Sequence, residues 1–524
     1  MVAASQPLAV AAGLEILARG GNAADAAVAA AAAIAVTEPT STGLGGDCFS
    51  LYYDSATRQI TALNGSGRAP SALSLERLRA EGLDKELPPF HPYTVTVPGA
   101  CAGWDDLVAR HGSLSMAQIL NPAIRLAEEG FPVAPITAYF WQRAARGQLG
   151  RASGGQEMLI DGRGPHPGEI FRNPGMVRTL ERIASGGKEA FYQGPIAEAI
   201  ARVVQQAGGC LTEADLAEHT STWEQPISTS YRGIRVWECP PNGQGLAALL
   251  ALNILERFDL AGLEPLSPSR LHLEIEAMRL AFADARQYVA DPTSCPAPLE
   301  DLLSKNYALE RSRLIDPGRA GPPPSFGTPG ASSDTVYLTA VDASGNACSF
   351  INSNYMGFGT GLVPGGWGFT LQNRGHNFSL QPDHPNALAP RKRPYHTIIP
   401  AMATRGTDGS LYASFGVMGG FMQPQGHLQV VINLVDDGLD PQEALDRPRF
   451  CIEPENAPAD VSLEDGFPPE TISGLVSMGH AVDVVSGVGR SLFGRGQIIY
   501  REAATGVLWG GSDPRADGCA MCLA

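Results

Sequence analysis

The feature that most constrains how this chain can fold is a change of pattern close to residue 334. Between about residues 100 and 310, apolar residues recur every three or four positions, which is typical of amphipathic helices. From Thr335 onward, short apolar stretches separated by turn residues indicate β-strands. The intervening segment 317–333 is rich in proline, glycine and serine and is predicted to be a linker. The pattern therefore favours an α+β fold over a long helical bundle.

Periodicity and turn chemistry predict the individual elements. The turn 342–346 separates two apolar runs and predicts an antiparallel hairpin. A glycine loop at 42–47 is predicted to precede a strand. The predicted helices cover residues 7–17, an alanine-rich stretch that starts at 22, 115–129, 173–184, 195–206, 246–258, 269–289 and 425–436. The predicted strands cover residues 48–53, 233–239, 335–341, 347–351, 411–417 and 481–488.

The charge of the chain limits its partners. Its 524 residues carry a formal net charge of −16, whereas nucleic acids and anionic membranes attract a basic face. We therefore expect neither as a main partner. No run approaches the roughly 18 apolar residues that a membrane helix needs. No leader peptide is visible either, so the sequence favours a cytoplasmic location.

The cysteines and histidines do not suggest a metal site. Nine cysteines, an odd number, are dispersed along the chain, which is typical of reduced thiols. Cys519 and Cys522 form a CxxC, but a zinc site needs a second ligand pair. The C-terminal histidines lack a carboxylate at ligand spacing, so we expect no metal and no organic cofactor. These histidines are His376, His384, His396 and His427.

Two other motifs also fail to assign a function. The segment 243–245, Gly-Gln-Gly, follows a predicted strand and opens a helix, as in a dinucleotide-binding site. A second long helix follows instead of a parallel strand, so we predict packing by small residues there rather than nucleotide binding. No Gly-x-Ser-x-Gly elbow is present, which argues against a serine hydrolase of that type.

Thr335 opens a predicted strand directly after the predicted linker, where backbone cleavage would leave it as a new N-terminus. A terminal threonine carries nucleophile and base together, because its own α-amine can take the hydroxyl proton. The ordinary pKa of such an amine is about 7.7–8.0, so no histidine is required. Asp-Thr steps are also common as caps or turns at strand starts, and the position alone permits both interpretations.

Short motifs in a fixed order along almost the whole chain are a more specific signal. In this order they resemble the γ-glutamyltranspeptidase family of N-terminal-nucleophile hydrolases. The motifs are Met1-Val2-Ala3-Ala4-Ser5-Gln6-Pro7-Leu8-Ala9, Gly20-Gly21-Asn22-Ala23-Ala24-Asp25, Gly43-Leu44-Gly45-Gly46, Val97-Pro98-Gly99, Pro240-Pro241-Asn242-Gly243-Gln244-Gly245, Asp334-Thr335, Phe358-Gly359-Thr360-Gly361, Met418-Gly419-Gly420 and Gly511-Ser512-Asp513-Pro514-Arg515.

The resemblance implies a four-layer αββα sandwich in one globular unit, made as an inactive chain that cuts itself between Asp334 and Thr335. The products would be an α-rich fragment 1–334 and a β-rich fragment 335–524, which would stay paired as a heterodimer. Thr335 would then attack a substrate amide, form an acyl-enzyme, and pass the acyl group to water or an amine.

Three further positions match the catalytic machinery of that family. The backbone N–H groups of Gly419 and Gly420 match its oxyanion hole. Ser353 falls where the family has a second threonine that supports the nucleophile, so a hydroxyl is retained.

The substrate-recognition positions depart from the family. Ser66 replaces the arginine that holds a glutamyl α-carboxylate, with Arg68 two residues later. Asn377 replaces the acid that holds the α-ammonium, and a neutral or acidic position becomes Arg374. A serine pair becomes His396-Thr397 and an asparagine becomes Tyr355. By resemblance, the substrate-binding residues are therefore Arg374, Asn377, His396, Thr397, Tyr355 and Arg68.

These departures leave the substrate open between several alternatives. The activity of the parent family is hydrolysis or transfer of γ-glutamyl amides such as glutathione. A pocket that has lost negative charge also suits an amide of a small acid such as oxamate, or the substrate of an acylase. A scaffold that binds without turnover remains a different class of interpretation.

Overall fold

The computed structural model describes residues 1–322, 334–452 and 460–523. The predicted linker falls largely on residues 323–333, which lie outside the described residues. Its first part is ordered as a turn, in which Asp316 and Arg319 pair as an isolated β-bridge.

Two β-sheets form the centre of the molecule. The strands are β1 (Val2–Ala4), β2 (Asp47–Asp54), β3 (Gln59–Gly65), β4 (Phe131–Pro132), β5 (Ile170–Phe171), β6 (Thr222–Glu224), β7 (Ile227–Tyr231), β8 (Ile234–Glu238), β9 (Asp334–Val341), β10 (Ala347–Tyr355), β11 (Ala401–Arg405), β12 (Leu411–Met418), β13 (Phe450–Ile452), β14 (Val461–Glu464), β15 (Val482–Val485), β16 (Arg495–Arg501), β17 (Leu508–Ser512) and β18 (Cys519–Met521). Among the described residues the first sheet has the order β18-β1-β9-β10-β2-β3-β6, and the second has the order β17-β16-β12-β11-β8-β7. Neighbouring strands in both sheets are antiparallel. A small sheet of β13, β14 and β15 and a ribbon of β4 and β5 lie apart from them.

Helices cover the outer faces of both sheets. They are α1 (Pro7–Ala18), α2 (Ala23–Thr37), α3 (Leu75–Ala80), α4 (Ala100–His111), α5 (Met116–Glu129), α6 (Pro135–Ala144), α7 (Pro174–Gly186), α8 (Glu189–Tyr192), α9 (Pro195–Gln206), α10 (Glu213–Ala217), α11 (Gly245–Leu255), α12 (Pro268–Tyr288), α13 (Leu299–Leu302), α14 (Lys305–Ser312), α15 (Met422–Val435), α16 (Pro441–Asp446) and α17 (Pro469–Ser477). Short 3-10 helices cover Pro92–Thr94, Gly155–Met158, Arg374–Asn377 and Gly487–Phe493, and Ala145–Leu149 forms a π-helical turn. No described helix combines the length and the apolar character needed to cross a membrane.

The alternation of side chains along β9 defines the layers. Val336 and Leu338 point outward into an apolar core shared with α1 and α2. Tyr337 and Val341 point the other way, into a second core that includes Met402 of the opposite sheet. A third core joins that sheet to α11, α12 and α15. The order helix, sheet, sheet, helix confirms the expected αββα sandwich and the α+β class.

Most predicted elements lie where the sequence pattern placed them, but four boundaries were wrong by three or four residues. Strand β10 extends to Tyr355 rather than ending at 351, and α11 ends at Leu255 rather than at 258. The strand predicted over 481–488 ends at Val485, because Gly487 has φ +61° and starts a 3-10 helix. Helix α15 begins at Met422 rather than at 425, since Pro424 lies in the first turn, where a missing N–H costs little.

Candidate active site

Thr335 is the second residue of β9 and lies fully buried between the two sheets. Two contacts locate it relative to β12. Thr339 Oγ1 lies 2.6 Å from Ser414 Oγ, and a Cβ built on Gly416 would lie 2.5 Å from the Tyr337 ring. Moving two residues along β9 toward Thr335 therefore moves the contact on β12 two residues toward the end of that strand. Thr335 therefore lies toward the end of β12, which is Met418.

Ser353 supports the Thr335 hydroxyl from the neighbouring strand β10. The two hydroxyl oxygens lie 3.1 Å apart. Ser353 Oγ also accepts hydrogen bonds from the Tyr355 backbone N–H at 2.8 Å and from the Arg374 guanidinium at 3.2 Å. All four of these residues are fully buried, so the contacts form away from solvent. These hydrogen bonds hold the hydroxyl oxygen of Ser353 beside Thr335.

Arg374 is a buried cation in contact with this serine. It starts the 3-10 helix Arg374–Asn377, and its guanidinium donates to Thr397 Oγ1 at 2.7 Å. Its guanidinium carbon lies 4.3 Å from the centre of the Tyr355 ring, a distance at which a cation–π contact stabilises the charge. Burial lowers the pKa of Arg374 to about 10, which leaves it charged at neutral pH. No carboxylate that the structure describes forms an ion pair with it.

Asp47 and His396 form a buried pair on the other side of Ser353. Asp47 opens β2 directly opposite Ser353 in the strand register, and His396 Nε2 lies 2.9 Å from its Oδ2. The second oxygen, Oδ1, accepts from the N–H groups of Gly67 and Gly99 and from the Gln372 side chain. Both Asp47 oxygens are therefore already occupied by donors of the protein.

The protonation of this pair follows from its surroundings. Burial lowers the pKa of His396 to about 3, with a further effect of the Arg374 charge, so the imidazole is neutral. Its Nδ1 accepts from the Ile398 N–H at 3.4 Å, which leaves Nε2 as the donor to Asp47. Burial alone would raise the pKa of Asp47, but the hydrogen bond from His396 and the charge of Arg374 outweigh it, and the pKa is lowered. Asp47 is thus ionised.

Gly419 and Gly420 turn the chain between β12 and α15. Both have positive φ, +131° and +59°, which glycine adopts without steric cost. The carbonyl of Gly419 accepts from the Met422 N–H at the start of α15. In a trans peptide the N–H points opposite to the preceding carbonyl, so the Gly420 N–H points away from that helix.

Gln244 connects this turn to the rest of the site. Its Nε2 donates to the carbonyl of Gly420 at 2.8 Å and to the carbonyl of Thr397 at 2.6 Å. Its backbone N–H donates to the carbonyl of His396 at 3.0 Å. A continuous set of contacts therefore runs from Thr335 through Ser353, Arg374, Thr397 and Gln244 to Gly420.

Two of the expected substrate-binding residues lie outside this set of contacts. Asn377 ends the same 3-10 helix as Arg374, and its side-chain amide donates to the carbonyl of Tyr395, while its side chain also interacts with the Tyr355 hydroxyl at the edge of the set. Arg68 is half-buried, and its contact in the described structure is a backbone one, in which its carbonyl accepts from the Val97 N–H. Ser66 is buried and accepts a hydrogen bond from the Asn242 side chain.

Asp47 and Gln244 are site residues that the sequence alone did not reveal. Asp47 only ended the glycine loop, and Gln244 lay inside the motif that mimics a dinucleotide site. The signal that could have found them is a polar residue next to glycine, since Gly46 precedes Asp47 and glycines lie on both sides of Gln244, and glycine lets the backbone approach closely. Gly245 itself packs against Glu238, since a Cβ there would lie 2.6 Å from the Cβ of that residue. No ligand cluster for a metal includes these residues in the described part of the chain.

Known proteins resemble this chain over almost its whole length. The family model for γ-glutamyltranspeptidase matches residues 9–523. The glutathione hydrolase-like YwrD proenzyme of Bacillus subtilis is 37% identical over 99% of this chain and 98% of its own length. The oxamate amidohydrolase proenzyme of Klebsiella pneumoniae is 34% identical over 99% and 98%. The crystal structure of a cephalosporin acylase from Bacillus halodurans superimposes with a TM-score of 0.91 at 47% identity, covering 99% of this chain and 94% of that one. The chain therefore belongs to the γ-glutamyltranspeptidase family, a family of hydrolases and acyltransferases with the N-terminal-nucleophile fold.

Proposed function

We propose that this protein is a self-cleaving threonine amidohydrolase with Thr335 as its nucleophile. The single observation that carries the proposal is the Thr335 hydroxyl, buried at the start of β9 and 3.1 Å from Ser353 Oγ. In the first reaction Thr335 Oγ1 attacks the carbonyl carbon of Asp334. The acyl group moves from nitrogen to oxygen, and water then opens the ester. The products are fragments 1–334 and 335–524, which remain together as a heterodimer.

The freed α-amine of Thr335 then acts as the base for substrate. It takes the hydroxyl proton while the oxygen attacks the amide carbonyl, and it returns the proton to the leaving amine. The N–H groups of Gly419 and Gly420 stabilise the tetrahedral oxyanion, a contribution worth about 2.7–4 kcal/mol per donor in comparable sites. Water, or an amine, then takes the acyl group from the threonine.

The acyl group is proposed to be γ-glutamyl, the acyl group of glutathione, because several relatives are named as glutathione hydrolases or as glutathione hydrolase-like. Arg374 is the candidate partner of its α-carboxylate, because this guanidinium is buried beside Ser353 and has no carboxylate partner among the described side chains. A planar guanidinium suits two parallel hydrogen bonds to a carboxylate. Tyr355 keeps the guanidinium plane oriented.

A second candidate is an acyl group that carries a carboxylate but no α-ammonium. One observation favours it: the described part of the site offers no free acid for an ammonium. Asn377 is an amide that faces the Tyr395 carbonyl, and both oxygens of Asp47 already accept hydrogen bonds. Relatives named as an oxamate amidohydrolase and a cephalosporin acylase accord with this alternative.

Cleavage is tested by gel electrophoresis of the purified protein. We expect two bands that match fragments 1–334 and 335–524 for the native sequence, and one band for Thr335→Ala. A native chain that stays in one piece would contradict the proposed chemistry and favour a binding scaffold without turnover.

The acyl group is tested with a matched pair of anilides. γ-Glutamyl and glutaryl p-nitroanilide differ only in the α-ammonium, so the ratio of their kcat/KM values isolates that group. We expect the γ-glutamyl compound to be the better substrate. A preference for the glutaryl compound, or ammonia release from oxamate without anilide turnover, would replace the glutamyl assignment by the second candidate.

A further inference from the structure

A cluster of three ligand-type side chains lies outside the active site. His272 and Glu276 are four residues apart on α12 and therefore share one face of that helix. His480 reaches them from the segment between α17 and β15. One donor atom from each side chain lies within 4.8 Å of the other two, and all three residues are buried. Two imidazoles and one carboxylate form a ligand set that zinc prefers.

The tautomer of His272 is fixed by its surroundings. Its Nε2 lies 2.8 Å from the backbone carbonyl oxygen of Asp316, which only accepts, so Nε2 carries the hydrogen. The lone pair is then on Nδ1, 2.8 Å from His480 Nε2. An N–H donated to a backbone carbonyl is the usual outer contact of a metal-bound histidine. His272 is therefore oriented as a ligand before any ion arrives.

The other two ligands are available after small changes. Tetrahedral zinc with Zn–N bonds of 2.0–2.1 Å separates two ring nitrogens by about 3.3 Å, so the two imidazoles must move apart by about 0.5 Å. The His480 proton must also leave Nε2 for Nδ1, an atom with no partner among the described residues. The ring stays neutral, and no proton is released overall.

The charges around the cluster favour a cation. Glu276 Oε1 accepts from Arg279 at 3.1 Å, and its Oε2 accepts from the Gly321 N–H at 3.1 Å, so the carboxylate is held while free lone pairs remain. Arg279 also pairs with Asp460 at 3.5 Å. One cation and two anions give a net charge of −1 beside the two histidines.

We propose that His272, Glu276 and His480 form a zinc site, with water as a fourth ligand. The site joins sequence on both sides of Thr335, since His272 and Glu276 lie upstream and His480 lies downstream. It also holds the turn before residue 323, because His272 contacts Asp316 and Glu276 contacts Gly321. If the chain cleaves itself as proposed, the ion links the two fragments.

Zinc binding is measured on the uncleaved Thr335→Ala chain, so the outcome does not depend on cleavage. After removal of metal with a chelator, equilibrium dialysis against zinc and atomic emission should give about one zinc per chain. His480→Gln and Glu276→Gln should each weaken binding by at least about tenfold. His427→Gln removes another buried histidine that contacts a carboxylate, Glu238, and is the matched control that should keep the zinc.

A second measurement covers variants that fail to fold. Cobalt added to the metal-free parent chain should give the intense visible absorption of a tetrahedral site, and zinc should abolish it. Zinc should also raise the thermal unfolding midpoint of the parent chain and of His427→Gln, but not that of His480→Gln. A parent chain that binds no zinc, or a His480→Gln chain that binds it as tightly as the parent, would overturn the proposal.

Discussion

The hydroxyl oxygen of Thr335 lies 3.1 Å from that of Ser353, at the point where the pairing of β9 with β10 shifts register between Asn352 and Tyr355. If this contact orients the nucleophile, Ser353→Ala should slow anilide turnover by about tenfold, since a net hydrogen bond contributes about 0.5–1.5 kcal/mol. Ser353→Thr keeps the hydroxyl and is the control that should retain most activity. Equal rates for the alanine variant and the parent enzyme would show that the contact does not assist catalysis.

Arg374 provides a second prediction. Because charged hydrogen bonds contribute about 1.5–3 kcal/mol, Arg374→Gln should raise KM by about 10- to 150-fold and change kcat much less. Arg374→Lys keeps the charge but loses the planar pair of donors, so an intermediate KM is expected. Steady-state kinetics on the preferred anilide measure both variants. A fall in kcat at constant KM would mean that Arg374 does not hold the substrate carboxylate.

Gly420 and Gly438 form a matched pair for testing the oxyanion turn. Their φ values are +59° and +64°, so alanine is similarly strained at both, by about 1–2 kcal/mol. Gly420→Ala should lower kcat by up to about 100-fold, because the strain moves the N–H that is proposed to stabilise the oxyanion. Gly438→Ala, three residues after the end of α15, should lower the unfolding midpoint and leave kcat unchanged. Similar kinetics for the two variants would argue against the turn as the oxyanion hole.

The neutral, buried His396 predicts how stability depends on pH. Its pKa is about 3 in the folded chain and about 6.5 when unfolded, so the unfolded state binds the additional proton between these values. Stability should therefore fall as the pH is lowered from about 6.5 toward 3, by up to about 1.4 kcal/mol per pH unit from this residue. Urea unfolding of the uncleaved Thr335→Ala chain at several pH values gives the slope. His396→Gln should reduce that slope, and an unchanged slope would show that His396 is not the group that titrates.

Asp47 predicts a second dependence of stability on pH, in a lower pH range than that of His396. Its pKa is lowered in the folded chain, so its contribution is fully present above the unfolded value of about 3.9 and is lost as the pH falls through the folded value. Asp47→Asn in the same background should therefore cost stability at pH 7 and cost less near pH 3. A stability loss that is the same at both pH values would point to packing rather than to the charge.

The elements that the sequence predicted best depend on local signals. Helix α1 begins at Pro7, where proline has no N–H to leave unpaired, and the hairpin of β9 and β10 follows from the turn 342–346. The site was harder to predict, because its contacts join distant parts of the chain. Asp47 and His396 are 349 residues apart, and Gln244 and Gly420 are 176 apart. No periodicity in a short window encodes such pairs.

Family resemblance supplied the nucleophile, the glycines and the altered recognition positions, but not their contacts. It identified Arg374 without revealing that Ser353, Thr397 and Tyr355 surround its guanidinium. It also gave no reason to connect His272 with His480, since one lies on a long helix and the other in a loop 208 residues later. These relationships follow from how helices and sheets pack, which appears only in three dimensions.

The order of strands in the first sheet has one more consequence. Strand β9, which starts with the proposed cleavage point, lies between β1 from the beginning of the chain and β10, and β18 from the end of the chain lies on the far side of β1. Strands from fragment 1–334 and from fragment 335–524 therefore alternate across this sheet. Cleavage of the one peptide bond should leave the two fragments associated, because separating them would break the hydrogen bonds of several strand pairs at once. We expect the nicked molecule to migrate as a single particle, and a product synthesised alone to lack the neighbours it needs to become ordered.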